Sequence, residues 1–108
     1  MHLDLAAELD LLAGDQADAI VRCVQEVMTN TTRHADARNL WISIRCDRSA
    51  ICLRAYDNGQ TPAVDPIAWG HGLTGLRERF AALGGQVDAR RTRDGGFEVE
   101  ASMPRRRP

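Results

Sequence analysis

The chain is predicted to fold as a two-layer α/β sandwich, a mixed and mostly antiparallel sheet with helices on one face. Three observations predict it. Apolar residues recur at helical spacing in two segments, polar and apolar residues alternate in two pairs of short segments, and each helical segment is followed by one such pair. Alternation marks strands with one face on a core and one on water, so a single layer of helices is enough to close that core.

Taken in order, a short first strand is expected around Leu3 and Leu5. From Gly14 the stretch GDQADAIVRCVQEVMTNTTRHADA sets Ala17, Ile20, Val21, Val24, Val27, Met28 and Thr31 at helical spacing, with Asp15 as the N-cap. LWISIRC then turns Leu40, Ile42, Ile44 and Cys46 to one side. After a polar DRS turn, ICLRAYD does the same with Ile51, Leu53 and Ala55, which predicts an antiparallel hairpin. Residues 58 to 72 hold two prolines and three glycines without a sustained period and read as a long functional loop. In LTGLRERFAALGG, Leu73, Leu76, Phe80 and Leu83 form a helical stripe that Gly84 and Gly85 stop. Val87 and Ala89 before an Asp-Gly-Gly turn, and Phe97, Val99, Ala101 and Met103 after it, predict a second hairpin.

A length of 108 residues suits one domain, expected over 1–104, with 105–108 as a basic tail. The formal net charge is −1 and both signs are mixed along the chain, so neither nucleic acid nor a membrane is expected as a partner. Arg105, Arg106 and Arg107 are the one dense charge run, read as a solvated tail. No apolar stretch approaches the roughly 20 residues that span a bilayer. The N-terminus lacks a signal-peptide layout. Cys23, Cys46 and Cys52 are odd in number and lack zinc-site spacing; alternation points Cys46 inward and Cys52 outward, away from a mutual disulfide. Free thiols place the chain in the cytoplasm.

Three features carry chemistry. Glu26, Asn30 and His34 follow at i, i+4 and i+8 on the first helix, a polar ladder whose oxygen atoms suit a hydrated hard cation such as magnesium. Taken alone it equally describes a solvated face. Asp57 continues the inward alternation of Ile51, Leu53 and Ala55, and a buried carboxylate needs a donor such as the amino group of adenine; Gly59 lets the backbone pass close to such a ring. An isolated Asp-Asn-Gly is also an ordinary turn. Gly70-His71-Gly72-Leu73-Thr74-Gly75 runs straight into a helix, where free N–H groups and the helix dipole attract phosphate oxygens. It lacks both the βαβ setting of a dinucleotide fingerprint and the Gly-Lys-Ser/Thr ending of a P-loop.

These three elements in this order resemble the Bergerat-type ATPase superfamily, which takes in gyrase, the heat-shock chaperone, histidine kinases and mismatch-repair ATPases. QEVMTNTTRHADA resembles the N box of histidine kinases, DNG the first glycine box, and GHGLTGLRERFAALGG the second, in the form of kinases coupled to LuxR-type response regulators. The similarity runs from about Leu3 to Pro104. It implies the Bergerat fold and an ATP-binding catalytic domain of a sensor histidine kinase, with ATP and Mg2+ as ligands. Asn30 is implied to coordinate the metal, with Glu26 polarising the attacking group or orienting the metal shell. Asp57 is implied to accept from adenine, Arg33 and His34 to line the phosphate side, and Gly70, Gly72 and Gly75 to shape the triphosphate site, with His71, Leu73 and Thr74 between them.

The sequence departs from the family in two places. Thr61, followed by Pro62, stands where a second glycine is common, which bears on affinity. The phosphoacceptor histidine of the family lies in a preceding helix, and His2, His34 and His71 are in no such context. The chain, expected to be a monomer, therefore should not phosphorylate itself. Its expected partners are a dimerisation domain bearing that histidine and, downstream, a LuxR-type response regulator. Two alternatives stay open on the sequence: an anti-sigma-type serine kinase, and a nucleotide-binding module without catalysis.

Overall fold

The computed structural model describes residues 2–6, 14–33, 39–47, 49–58, 71–91 and 96–105; within these, residues 2–6, 30–33, 71–73 and 91 are described by backbone alone. Strand β1 (His2–Ala6) precedes helix α1 (Gly14–Arg33), strands β2 (Leu40–Cys46) and β3 (Ala50–Asp57), helix α2 (His71–Ala82), and strands β4 (Gln86–Arg91) and β5 (Phe97–Pro104). The five strands form one sheet in the order β1-β2-β3-β5-β4; β1 runs parallel to β2, and every other pairing is antiparallel. The mixed, mostly antiparallel sheet and its one-sided helix layer are as predicted.

Alternation decides which side of each strand is covered. Leu40, Ile42 and Ile44 on β2, Ile51, Leu53 and Ala55 on β3, Val87 on β4, and Phe97, Val99, Ala101 and Met103 on β5 are all buried and form one core with Ile20, Cys23 and Val27 of α1 and Leu76 and Phe80 of α2. Cys46 is half-buried against that core and Cys52 faces outward. All three cysteines are free thiols, and Cys46 and Cys52 face opposite sides as the alternation requires. The β2–β3 turn is held by Asp47, whose Oδ1 accepts from Ser49 N, Ser49 Oγ and Ala50 N at 2.7, 2.8 and 2.8 Å. These bonds, the Ser49 backbone first, hold the Asp47 carboxyl below its ordinary range.

Two expectations for α1 need correction. Asp15 lies inside the helix and accepts from the adjacent Gln16 N–H at 2.9 Å, so it serves the first turn from within instead of capping it from outside. The covered stripe is also rotated. Val21 is 54% exposed and Met28 42% exposed, whereas Gln16 and Ala19 are completely buried. The cause is a polar contact that hydropathy does not register: Gln16 Nε2 donates to the Pro104 carbonyl at 2.5 Å. A buried amide is tolerated only when bonded. Its tether turns the Gln16–Ala19–Cys23 side to the sheet and Val21 toward water.

Helix α2 ends as its glycines foretell. Gly85 N–H donates to Phe80 O at 2.8 Å and Gly84 N–H to Ala81 O at 3.0 Å, with Gly84 at φ +79°, the pattern of a Schellman stop. Gly85 has a second reason to lack a side chain, since a Cβ there would meet the Ser102 carbonyl at 2.1 Å. At the chain end, Arg105 N donates to Ser49 O at 3.0 Å and its guanidinium to Asp47 O at 3.1 Å, so this first residue of the expected tail is bonded to the β2–β3 turn; 106–108 lie outside the described residues.

Candidate functional site

The two helices are each anchored at the same end of the sheet. Gln16 fastens the start of α1 to Pro104, which pairs with Ala50, and the Gly84-Gly85 stop of α2 lies against Ser102, Met103 and Pro104. Both helices therefore run from or toward the Ala50 end of β3. The C-terminal half of α1 and the first turn of α2 consequently lie toward the other end, where Asp57 closes β3. α1 packs over β2, β3 and β5 and against α2, which covers β4 and β5. Glu26 and the Asn30 backbone on α1, Asp57 on β3 and residues 71–75 on α2 thus all lie on their elements away from these anchors.

Asp57 is the chemically distinctive member of this group. It is 5% exposed, pairs with Leu40 across the β2–β3 ladder, and its Oδ1 accepts from the Phe97 N–H of β5 at 3.2 Å. A carboxylate thus sits on the core side of the sheet and accepts from a backbone donor. Glu26 is half-buried beside the core. Burial first, and the Glu26 charge second, push the Cys23 thiol up to about 12, so it stays protonated and unreactive at neutral pH. Asn30 lies one turn beyond Glu26, and Arg33 ends the helix; both are described by backbone alone. His34, Gly59 and Gly70 lie outside the described residues.

The boundary of the second glycine element differs from expectation. His71 and Gly72 were expected to close the loop, yet α2 begins at His71, so both belong to its first turn with Leu73 and Thr74. Weak helix formers are tolerated there because the first four N–H groups of a helix make no bonds within it. Thr74 and Gly75 are exposed, and a Cβ at Gly75 would meet nothing within 4 Å. Packing among the described residues does not require glycine at 75.

Among the described residues no three His, Cys, Asp or Glu side chains gather as a metal cage. Magnesium bound with nucleotide does not need one, since phosphate oxygens and water supply most of its ligands. Glu26 and Asn30, one turn apart, offer the oxygen donor types that such an ion accepts. A concavity of about 730 Å³ lies elsewhere: Trp41, Arg45, Arg54, Tyr56, Asp88 and Glu100 line it on the open face of the sheet. No predicted site residue borders it, and its cations and carboxylates largely offset each other. The buried carboxylate, Asp57, lies on the other, helix-covered side.

Residues 15–107 match the model of the histidine kinase-, DNA gyrase B- and HSP90-like ATPases. The chain belongs to this family. It is an ATP-binding domain of the kind that sensor histidine kinases carry. It is 34% identical over 88 residues to the sensor histidine kinase YxjM of Bacillus subtilis, covering 82% of this chain and 21% of that protein. It is 31% identical over 105 residues to the histidine-protein kinase/phosphatase UhpB of Salmonella typhimurium, covering 97% of this chain and 21% of the relative. The chain thus spans about a fifth of the length of these relatives. Among solved structures, the Acinetobacter baumannii histidine kinase AdeS superposes with a TM-score of 0.68 at 18% identity, over 95% of this chain and 52% of that one. The mycobacterial sensor histidine kinase MprB gives 0.62 at 16% identity, over 99% and 84%. At such identities these likenesses establish the fold.

Sequence reasoning missed three polar features. Gln16 sits at a position that hydropathy counts as surface. Glu98 is buried and accepts from the guanidinium groups of Arg54 and Arg90. Asn39 and Asn58 bond reciprocally at the mouth of the β2–β3 pair, which only the register of the strands brings together.

Proposed function

We propose that this domain binds ATP with magnesium at the Asp57 end of its helix-covered face and presents the γ-phosphate to a histidine on a separate dimerisation domain. One observation carries the reading: a buried carboxylate, Asp57, stands at the end of the sheet toward which the Glu26–Asn30 ladder and the first turn of α2 both run. Asp57 accepts a hydrogen bond from the adenine amino group. Residues 70 to 75 offer backbone N–H groups at the start of α2 to the phosphates, with Arg33 and His34 on the phosphate side. Gly59 gives the ring close backbone approach.

Asn30 and Glu26 hold the metal, which neutralises charge on the phosphate oxygens. Glu26 further polarises the attacking imidazole, whose nitrogen forms a bond to the γ-phosphorus as the bond to the β-phosphate oxygen breaks and ADP departs. Such a transfer requires chiefly in-line positioning and charge neutralisation, which a small domain supplies. The acceptor domain, a LuxR-type regulator downstream, a cytoplasmic setting, and a domain boundary near Pro104 complete the reading. No described helix is long and apolar enough to cross a membrane.

The test is calorimetric titration of the chain with a non-hydrolysable ATP analogue and magnesium, beside Asp57→Ala. Binding by the wild type that is lost in the variant is expected. A folded wild-type chain that ignores millimolar nucleotide would remove the reading.

A further inference from the structure

The end of β3 is locked on both sides by consecutive side chains. Asp57 Oδ1 accepts from Phe97 N–H at 3.2 Å and so ties β3 to β5. On the other side, Asn58 Oδ1 accepts from Asn39 N–H at 2.8 Å, while Asn58 N–H donates back to Asn39 O at 3.3 Å. The β2–β3 register ends at the pair Leu40 and Asp57, so Asn39 and Asn58 form the next rung. In that rung a side-chain amide oxygen stands where a backbone carbonyl would otherwise accept. Asparagine favours such local side-chain bonding to backbone at strand ends.

From this geometry we infer that Asn58 is a positioning residue that sets the selectivity of the site for adenine. This rests on the adenine role of Asp57 given above. A carboxylate discriminates between purines only if its oxygens are held: it accepts from the 6-amino group of adenine and repels the 6-oxo group of guanine. Its aim depends on the backbone at 57, which Phe97 restrains from one side and the Asn39–Asn58 rung from the other. Without the Asn58 oxygen the rung loses its shorter bond and keeps the 3.3 Å bond from Asn58 N–H to Asn39 O, so the end of β3 is held less firmly on its β2 side and the aim of the carboxylate loosens.

The experiment compares ADP and GDP affinities, with magnesium, for the wild-type chain, Asn58→Ala and Asn58→Asp, with GDP followed to millimolar concentration. Asn58→Ala should weaken ADP about five- to tenfold, the worth of one neutral hydrogen bond, and leave GDP within about twofold. The preference for adenine then falls by nearly the same factor, which general loosening of the fold would not produce, because both nucleotides would weaken together. Asn58→Asp keeps an acceptor for Asn39 N–H and should retain ADP affinity within about threefold. Amide hydrogen exchange at Asn39 should quicken in Asn58→Ala and stay slow in Asn58→Asp, with or without nucleotide. An unchanged ADP preference in Asn58→Ala overturns the inference, as does an equal loss in both variants. A wild type that binds neither nucleotide overturns the adenine role of Asp57 itself; a wild type that prefers ADP beside an Asn58→Ala that still does overturns only this step.

Discussion

The two faces of the sheet are built from the same strands, yet they are stabilised by different means. On the helix side Phe80, Leu53, Ile42 and Val99 are wholly or almost wholly buried, and a buried acid, Asp57, accepts from a backbone N–H. On the open side a polar ladder crosses four strands. Trp41 and Tyr56 stack at 5.1 Å, Arg54 lies 5.2 Å from the Tyr56 ring centre, and Arg54 and Arg90 both reach Glu98 at 3.2 and 3.1 Å. Arg90 also meets Glu100 at 2.7 Å. Apolar contact out of water contributes far more per residue than ion pairs within its reach. The first face should therefore carry both stability and chemistry, and the second mainly solubility and strand pairing.

The largest effect that would break this contrast concerns packing. Phe80→Ala removes a fully buried ring between α2 and the sheet and is expected to cost about 3–5 kcal/mol in denaturant unfolding. A loss below about 1 kcal/mol would mean that the helix layer is not what closes the core. Next comes the chemistry of that side. Asn30→Ala, assayed by phosphoryl transfer to a supplied acceptor domain, should lower the rate about a hundredfold or more with folding intact. Undiminished transfer would leave the domain a binding module without the proposed metal role.

Gly85→Ala comes third, because its new methyl would press on the Ser102 carbonyl and Met103 and force α2 away from β5. About 1–3 kcal/mol of destabilisation is expected. The open face should respond less. Burial pushes the Glu98 carboxyl up, but the hydrogen bond from Arg54 and the charges of Arg54 and Arg90 outweigh it and hold the carboxyl below its ordinary value. Such a depressed group stabilises the fold above the unfolded carboxylate pKa of about 4.3, and the contribution is lost as pH falls through the folded value. Because the arginine side chains are 58% and 49% exposed, Glu98→Gln should cost under about 1 kcal/mol at pH 7. The variant should also flatten the acid limb of a stability–pH curve. The smallest effect belongs to α1. Val21→Gln, at the position assigned to the core by periodicity but half exposed in the fold, should stay within about 0.5 kcal/mol of wild type.

Much of this was legible in the sequence because it depends on neighbours a few residues apart. Strand faces follow from alternation: Ile51, Leu53, Ala55 and Asp57 share one side because successive side chains point oppositely. The end of α2 follows from Gly84 and Gly85, and the state of the cysteines from their faces. The candidate residues Glu26, Asn30 and Asp57 could be picked out by type and spacing, though their company could not be. Asn58 gave no local sign of its role, since its partner is 19 residues away.

What the sequence by itself determined, then, is the kind, order and wet or dry face of its elements, which local periodicity encodes. The tertiary structure alone decided that β5 lies between β3 and β4, that β1 joins in parallel at the edge, and that the Gln16 tether rolls Val21 outward. It alone fastened the start of α1 and the end of α2 to the Pro104 end of β5. These outcomes depend on which distant segments bury each other's surface and satisfy each other's polar groups, a long-range competition that no short window of residues records.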